Sequence, residues 1–284
     1  MSVLKKYYLL LRLSHWQKAI FVFFGVIYAG TSGYWLKATV AALAFCLVAS
    51  AVYIYNDLQD IEEDKSHPQK FKRPLASGEI SVLQALTMLV ICLYLGFILA
   101  FFISNKLIII LLLYLAINLF YNHWGRKVIF LDVLCIASGF MLRIFAGTIG
   151  IGLSFNWWLT CTATLLSLFI ALCKRRLEFH LGSKFSKRAV LQKYNAYMLD
   201  VLIASAASGC FISYLLYTIY AYDKFTYFIW TIPLPALGLW RFAQLTIKNG
   251  DNDDPISLFL SDNISLINLI CFTGLTILAL LYKG

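Results

Sequence analysis

Apolar residues fill this chain in long unbroken runs instead of marking every second or every third and fourth position. A window of about 19 residues, close to the length that crosses a bilayer core, finds runs near 19–36, 38–55, 81–103, 107–121, 128–150, 157–173, 196–221, 225–247 and 258–281. The pattern predicts nine transmembrane helices in an all-α integral membrane protein, with 107–121 and 157–173 the shortest spans. Pro233 and Pro235 predict a kink or break within the eighth run, which a membrane tolerates when neighbours satisfy the freed carbonyls.

Composition agrees: 61% of the 284 residues are hydrophobic and 13% charged, against roughly half and a quarter in soluble domains. The seven cysteines fall singly, mostly inside apolar runs, so neither a disulfide framework nor a paired metal motif is expected. Lys5, Lys6 and Arg12 precede the first run as in a signal peptide, but the runs that follow mark a multispan chain whose first segment stays uncleaved.

The net charge of +10 suits nucleic acid, anionic lipid or a phosphorylated substrate, and position decides. With the N-terminus in the cytosol, the cations gather before span 1 or at its start, in the 56–80 loop, near 126, in the 174–195 loop and near the end of span 8. Lys37, Lys106, Lys224 and Lys283 alone fall outside, and Arg143 lies within span 5. This is the positive-inside pattern of a multispan protein with its N-terminus in the cytosol, with membrane lipid and not nucleic acid as its surroundings. Acidic residues obey no such rule, yet of the 14 only Asp223 falls on the outer side. Carboxylates and cations gathered in the same cytosolic loops suit a site for a metal-bound anion.

Span 2 runs into Asn56-Asp57-Leu58-Gln59-Asp60-Ile61-Glu62-Glu63-Asp64. On a continuous helix Asn56, Asp57, Asp60 and Asp64 share an arc of about 100°, with Asp57 and Asp64 roughly 10 Å apart along the axis. Like charges at this spacing repel, and hard oxygen ligands beside a phosphate-bearing substrate favour Mg²⁺ as the compensating ion. Glu62 points to the opposite face and reads as solvated, as does Glu63. Downstream, Lys72 and Arg73 offer phosphate-binding charge, and Pro74 and Gly78 bend the loop before span 3.

Arg143 sits about 16 Å along its helix from Asp132 and requires a partner in hydrocarbon. Substrate phosphate and a carboxylate such as Asp132 or Asp262 are equal alternatives. His123 reads as interfacial.

These motifs resemble the UbiA superfamily of intramembrane prenyltransferases, whose members have nine transmembrane helices. The resemblance covers most of the chain and weakens after about residue 200. Within the superfamily the chain looks most like the decaprenyl-phosphate phosphoribosyltransferase branch. Four stretches carry this: Arg12, Trp16 and Lys18; the 56–78 loop with His67-Pro68 and Lys70; Tyr121 to Gly147 with Lys127, Ser138-Gly139-Phe140, Leu142-Arg143 and Ala146-Gly147; and Lys174-Arg175-Arg176-Leu177-Glu178 followed by Arg188, Leu191 and Tyr194. Leu13, His15 and Ala19 depart from the pattern.

The resemblance implies a single UbiA-like domain over 1–284 with cytosolic catalytic loops near 56–80 and 174–195. It also implies Mg²⁺-dependent transfer of 5-phosphoribose from phosphoribosyl diphosphate to a polyprenyl phosphate. Asp57, Asp60 and Asp64 are the expected metal ligands, with Asn56 beside them as a substrate contact. Lys72, Arg73, Lys174 and Arg175 are expected to share the diphosphate charge, and Glu178 to orient ribose hydroxyls. Lys18 and Arg188 are expected to hold the acceptor phosphate or the donor's terminal phosphate, and Lys127, Arg143 and Tyr194 to contact substrate. A homo-oligomer is compatible with this reading.

Two rivals stand beside it. A ring-alkylating prenyltransferase of the same fold usually carries a second aspartate-rich motif after span 6, whereas Glu178 is the one acid between 174 and 195 here. A cation-coupled transporter usually places its site near the bilayer midplane, whereas these acids cluster at one face.

Overall fold

In the computed structural model, residues 3–29, 32–66, 70–154, 157–181, 194–220, 228–248 and 255–281 are described, and every regular element among them is helical. Seven helices are long and apolar enough to cross a membrane, or eight if Val3–Leu10 and Leu13–Tyr28, bent by 42° from one another, are taken as one span. The chain is a multi-pass membrane protein. It forms two compact units, the first of residues 1–122 and 142–154, the second of 123–141 and 155–284.

The first unit comprises α1 (Val3–Leu10), a 3-10 segment (Leu13–Ala19), α2 (Ile20–Ala29), α3 (Trp35–Gln59), a one-turn α4 (Ile61–Lys65), α5 (Val82–Ile103) and most of α6 (Asn105–His123). Helix α3 is its centre: a ladder of Ala38, Ala41, Ala42, Ala44, Ala49 and Ala51 lets neighbouring backbones approach closely. A Cβ added to Gly96 of α5 would meet the Val48 side chain and the Ala44 carbonyl of α3. Phe45, Val48, Leu107, Leu111 and Tyr114 fill the remaining core. A smaller apolar cluster of Leu10, Ile54, Leu75, Ile80 and Ala85 lies beneath the turn that follows α4.

That turn is specified residue by residue. Pro74 O accepts the Ile80 N–H at 3.1 Å, Gly78 takes a φ of +73°, and Ser81 with Gln84 forms a reciprocal capping box that starts α5. The sequence places a bend here, and the structure has it.

The second unit contains the start of α7 (Leu131–Ala146), then α8 (Trp157–Leu181), α9 (Ala196–Tyr220), α10 (Pro233–Lys248), α11 (Pro255–Ser261) and α12 (Asn263–Leu281). The eighth run is broken at Pro233: a 3-10 turn (Ile229–Thr231) precedes it and helix α10 begins there, so both prolines sit in its first turn, where no intrahelical N–H is needed. Two sequence expectations change. The ninth run is divided at Asp262, whose carboxylate accepts the Ser265 N–H at 2.9 Å and caps α12. Finally, Lys174–Glu178 belongs to α8 and not to a loop, as strong helix formers there allow.

The tightest backbone approach in the first unit is at Gly147, where a Cβ would overlap the Val22 carbonyl of α2. Gly147→Ala is expected to destabilise the protein by about 1–3 kcal/mol, measured as a lower unfolding midpoint in detergent. Gly33→Ala, where a Cβ meets nothing, should leave the midpoint unchanged.

Candidate functional site

In the first unit, two buried carboxylates converge on one nitrogen. Arg73 Nη1 donates to Asp57 Oδ1 at 3.0 Å and to Asp64 Oδ2 at 2.6 Å, and both aspartate side chains are only 3% exposed. Arg12 Nη2 donates to the same Asp57 Oδ1 at 2.5 Å, with its guanidinium 4.8 Å from the Tyr53 ring centre.

The local sequence explains the convergence. Helix α3 ends at Gln59 and Asp60 leaves helical geometry, with φ −101° and ψ 13°. The Asp60 N–H still bonds to Asn56 O at 3.0 Å, and the Asp64 N–H to Asp60 O at 2.8 Å. The expected unbroken row of oxygens is therefore kinked at Asp60: Asp57 and Asp64 are buried and joined through Arg73, and Asp60 is half-buried. Glu62 and Glu63 are exposed, and Glu62 pairs with Lys65 at 2.6 Å. The Asn56 side chain accepts a bond from Asn122 of α6.

Arg12 is held by its own strap. Trp16 Nε1 donates to Ser50 Oγ at 3.1 Å, and that hydroxyl donates to Leu11 O at 2.8 Å. The arginine takes a left-handed φ of 50°, which costs a non-glycine residue about 1–3 kcal/mol. Lys18, in the same 3-10 segment, is buried; Lys72 is exposed beside the Phe71 ring.

A Mg²⁺ ion fits these residues chemically. Two carboxylates already directed at one positive centre make the hard-oxygen donor set that such an ion selects.

The second unit holds another buried network. Asp132 is fully buried; its Oδ2 forms an ion pair with Arg175 Nε at 2.5 Å, and its Oδ1 accepts the Tyr194 hydroxyl at 2.7 Å. That hydroxyl accepts the Phe130 N–H at 2.9 Å. Burial and the bond to Asp132 push the Tyr194 phenol above its ordinary pKa, so it remains the donor. Arg175, 0% exposed, also pairs with Glu178. Nearer the surface, Arg176 Nε donates to Asp200 at 2.7 Å. Lys174 is half-buried and Lys127 exposed. Arg188 lies outside the described residues.

The carboxylates named as alternatives for Arg143 have cations of their own: Asp132 has Arg175, and Asp262 has Arg241 at 2.7 Å. Bonds from Arg241 hold the Asp262 carboxyl well below the usual range. Buried Arg143 lies 4.7 Å from the Phe45 ring centre and 5.3 Å from that of Tyr114, a cation–π setting suited to a charge in hydrocarbon.

The sequence reading did not place Arg12, Asn122 or Asp132 in a site. Arg12 stood in the quoted resemblance and Asn122 just past the end of a run; only Asp132 lies inside a run, where span burial obliges a polar group to find a partner.

The model of the UbiA prenyltransferase family matches residues 19–264. The chain belongs to this family. It is 30% identical over 270 residues to a decaprenyl-phosphate phosphoribosyltransferase from Corynebacterium glutamicum, covering 89% of this chain and 80% of the relative. It is 27% identical over 259 residues to the protein of that name from Mycolicibacterium smegmatis, with 87% and 80% covered. A UbiA homolog from Archaeoglobus fulgidus solved with GPP and Mg²⁺ superposes with a TM-score of 0.73 at 19% identity over 98% of this chain and 99% of that one, which establishes the shared fold. The chain is an enzyme, a transferase of the UbiA family.

The two ion-pair settings predict different costs. Asp132→Asn, which takes a carboxylate from the fully buried Arg175, should lower stability by roughly 3–5 kcal/mol. Asp200→Asn, whose side chain is 37% exposed although Arg176 is only 10% exposed, should cost less, about 1–2 kcal/mol. Unfolding of both variants in detergent checks the order.

Proposed function

We propose that the protein transfers 5-phosphoribose from phosphoribosyl diphosphate to a polyprenyl phosphate and releases diphosphate. One observation carries this beyond the family. The segment 174–195 holds seven cations and a single acid, Glu178, and that acid is engaged by Arg175, so the segment offers no second carboxylate set for metal. A donor with a terminal phosphate in addition to its diphosphate, and an acceptor that is itself a phosphate, call for cations instead. The names of the bacterial relatives support the same substrates.

In this reading Asp57 and Asp64, with Asp60 beside them, hold Mg²⁺, and Asn56 is fixed next to them by Asn122. The bound metal supplies charge withdrawal from the departing diphosphate. Lys72, Arg73, Lys174 and Arg175 take up negative charge that develops on the leaving group. Glu178, oriented by Arg175, receives ribose hydroxyls; Lys18 and Arg188 take the acceptor phosphate or the donor's terminal phosphate; and Lys127, Arg143 and Tyr194 are further contacts. The bond from the anomeric carbon to diphosphate oxygen breaks, and a bond to a lipid phosphate oxygen forms from the opposite face. The lipid phosphate is already ionised at neutral pH, so no strong base is required.

The same reading has the chain act as one catalytic domain in a bacterial cytoplasmic membrane. The bent pair Val3–Leu10 and Leu13–Tyr28, with the 16-residue helix Pro233–Lys248, brings the spans to nine, and the site faces the cytosol, as the cation distribution supports.

Purified protein with labelled phosphoribosyl diphosphate, polyprenyl phosphate and Mg²⁺ is expected to yield a labelled lipid. Chelator should abolish it, and Asp57→Asn should reduce it at least about 100-fold while the protein stays folded. Transfer of a prenyl group from prenyl diphosphate to an aromatic acceptor, with no labelled lipid, would overturn the assignment.

A further inference from the structure

Two buried carboxylates, Asp57 and Asp64, face two guanidinium groups, Arg12 and Arg73, so the cluster carries no net charge. The position on which both carboxylates converge belongs to Arg73 Nη1, and Arg12 bonds the same Asp57 oxygen. A bare divalent ion would have to displace an arginine and leave it uncompensated next to two positive charges. A metal–diphosphate brings its own anion, to which the displaced guanidinium can turn.

We infer that Arg12 and Arg73 act as resident counter-cations of the aspartate pair, Arg12 as a fixed positioning residue and Arg73 exchanged for a metal only when a diphosphate arrives with it. The two arginines differ in their freedom. Arg73 sits at the edge of the turn, 28% exposed at its side chain, and can swing from carboxylate to phosphate. Arg12 is fixed by the Trp16–Ser50–Leu11 strap and the Tyr53 ring, so it keeps Asp57 aimed while Arg73 moves. The arrangement disfavours idle metal binding and makes metal and diphosphate bind cooperatively. This inference rests on the proposed metal role of Asp57 and Asp64, though not on which group is transferred.

The test uses full-length protein in detergent, with bound Mn²⁺ read by electron paramagnetic resonance at fixed free Mn²⁺, with and without inorganic pyrophosphate. Wild type is expected to bind Mn²⁺ weakly alone and about tenfold or more tightly with pyrophosphate. In Arg73→Gln and Arg12→Gln, affinity for Mn²⁺ alone should rise by about tenfold and the gain from pyrophosphate should shrink. Either variant suffices if the other does not fold. Equal Mn²⁺ affinity in wild type and a folded variant overturns the counter-cation role and leaves the metal assignment standing. No bound Mn²⁺ on wild type even with pyrophosphate overturns both, and the labelled-lipid assay reports on the transferred group separately.

Discussion

Carboxylates withdrawn from water must be matched by positive charge, and the pair Asp57 and Asp64 sets what surrounds it in the first unit. Because both are buried, the chain brings Arg73 back on a proline–glycine turn and folds its N-terminal segment over α3 to deliver Arg12. The strained backbone at Arg12, the Trp16–Ser50 strap and the apolar cluster of Leu10, Ile54 and Leu75 under the turn all serve that delivery. Breaking a buried charge pair leaves an uncompensated ion, which costs far more than an exposed pair contributes.

The second unit meets the same constraint differently. Asp132, Arg175, Glu178 and Tyr194 close a network in which the arginine is fully buried and each charge has an opposite neighbour. Such a network fixes side-chain positions firmly, and it sets Glu178 in the middle of an otherwise cationic stretch. Arg143 lies against the faces of two aromatic rings, which offer a buried cation a favourable setting.

Much of this was legible in the chain itself. Hydropathy located the long helices, since apolar length is what a bilayer selects; the Pro74–Gly78 bend followed from residue type, and Asp57, Asp64 and Arg73 were each singled out, though Arg73 was assigned to phosphate and its junction with the two carboxylates was not foreseen. Break points were harder. Asp60 and Asp262 interrupt helices because their neighbourhoods engage side chains from distant segments, and a hydropathy window does not register that. The extension of α8 through Lys174–Glu178 was hidden because charged residues read as loop, although buried Asp132 and nearby Asp200 await Arg175 and Arg176. Arg12 was visible as a match to relatives, but its contact with Asp57, 45 positions away, is a tertiary fact.

The central claim, that the aspartate pair is a cation site held by arginine until a metal–diphosphate replaces it, is tested most directly by crystals grown with Mn²⁺ and phosphoribosyl diphosphate and measured at the manganese absorption edge. The account predicts an anomalous peak between the Asp57 and Asp64 carboxylates, with Arg73 turned onto the diphosphate. A bound donor with no peak there, and both arginines still on Asp57, would contradict it.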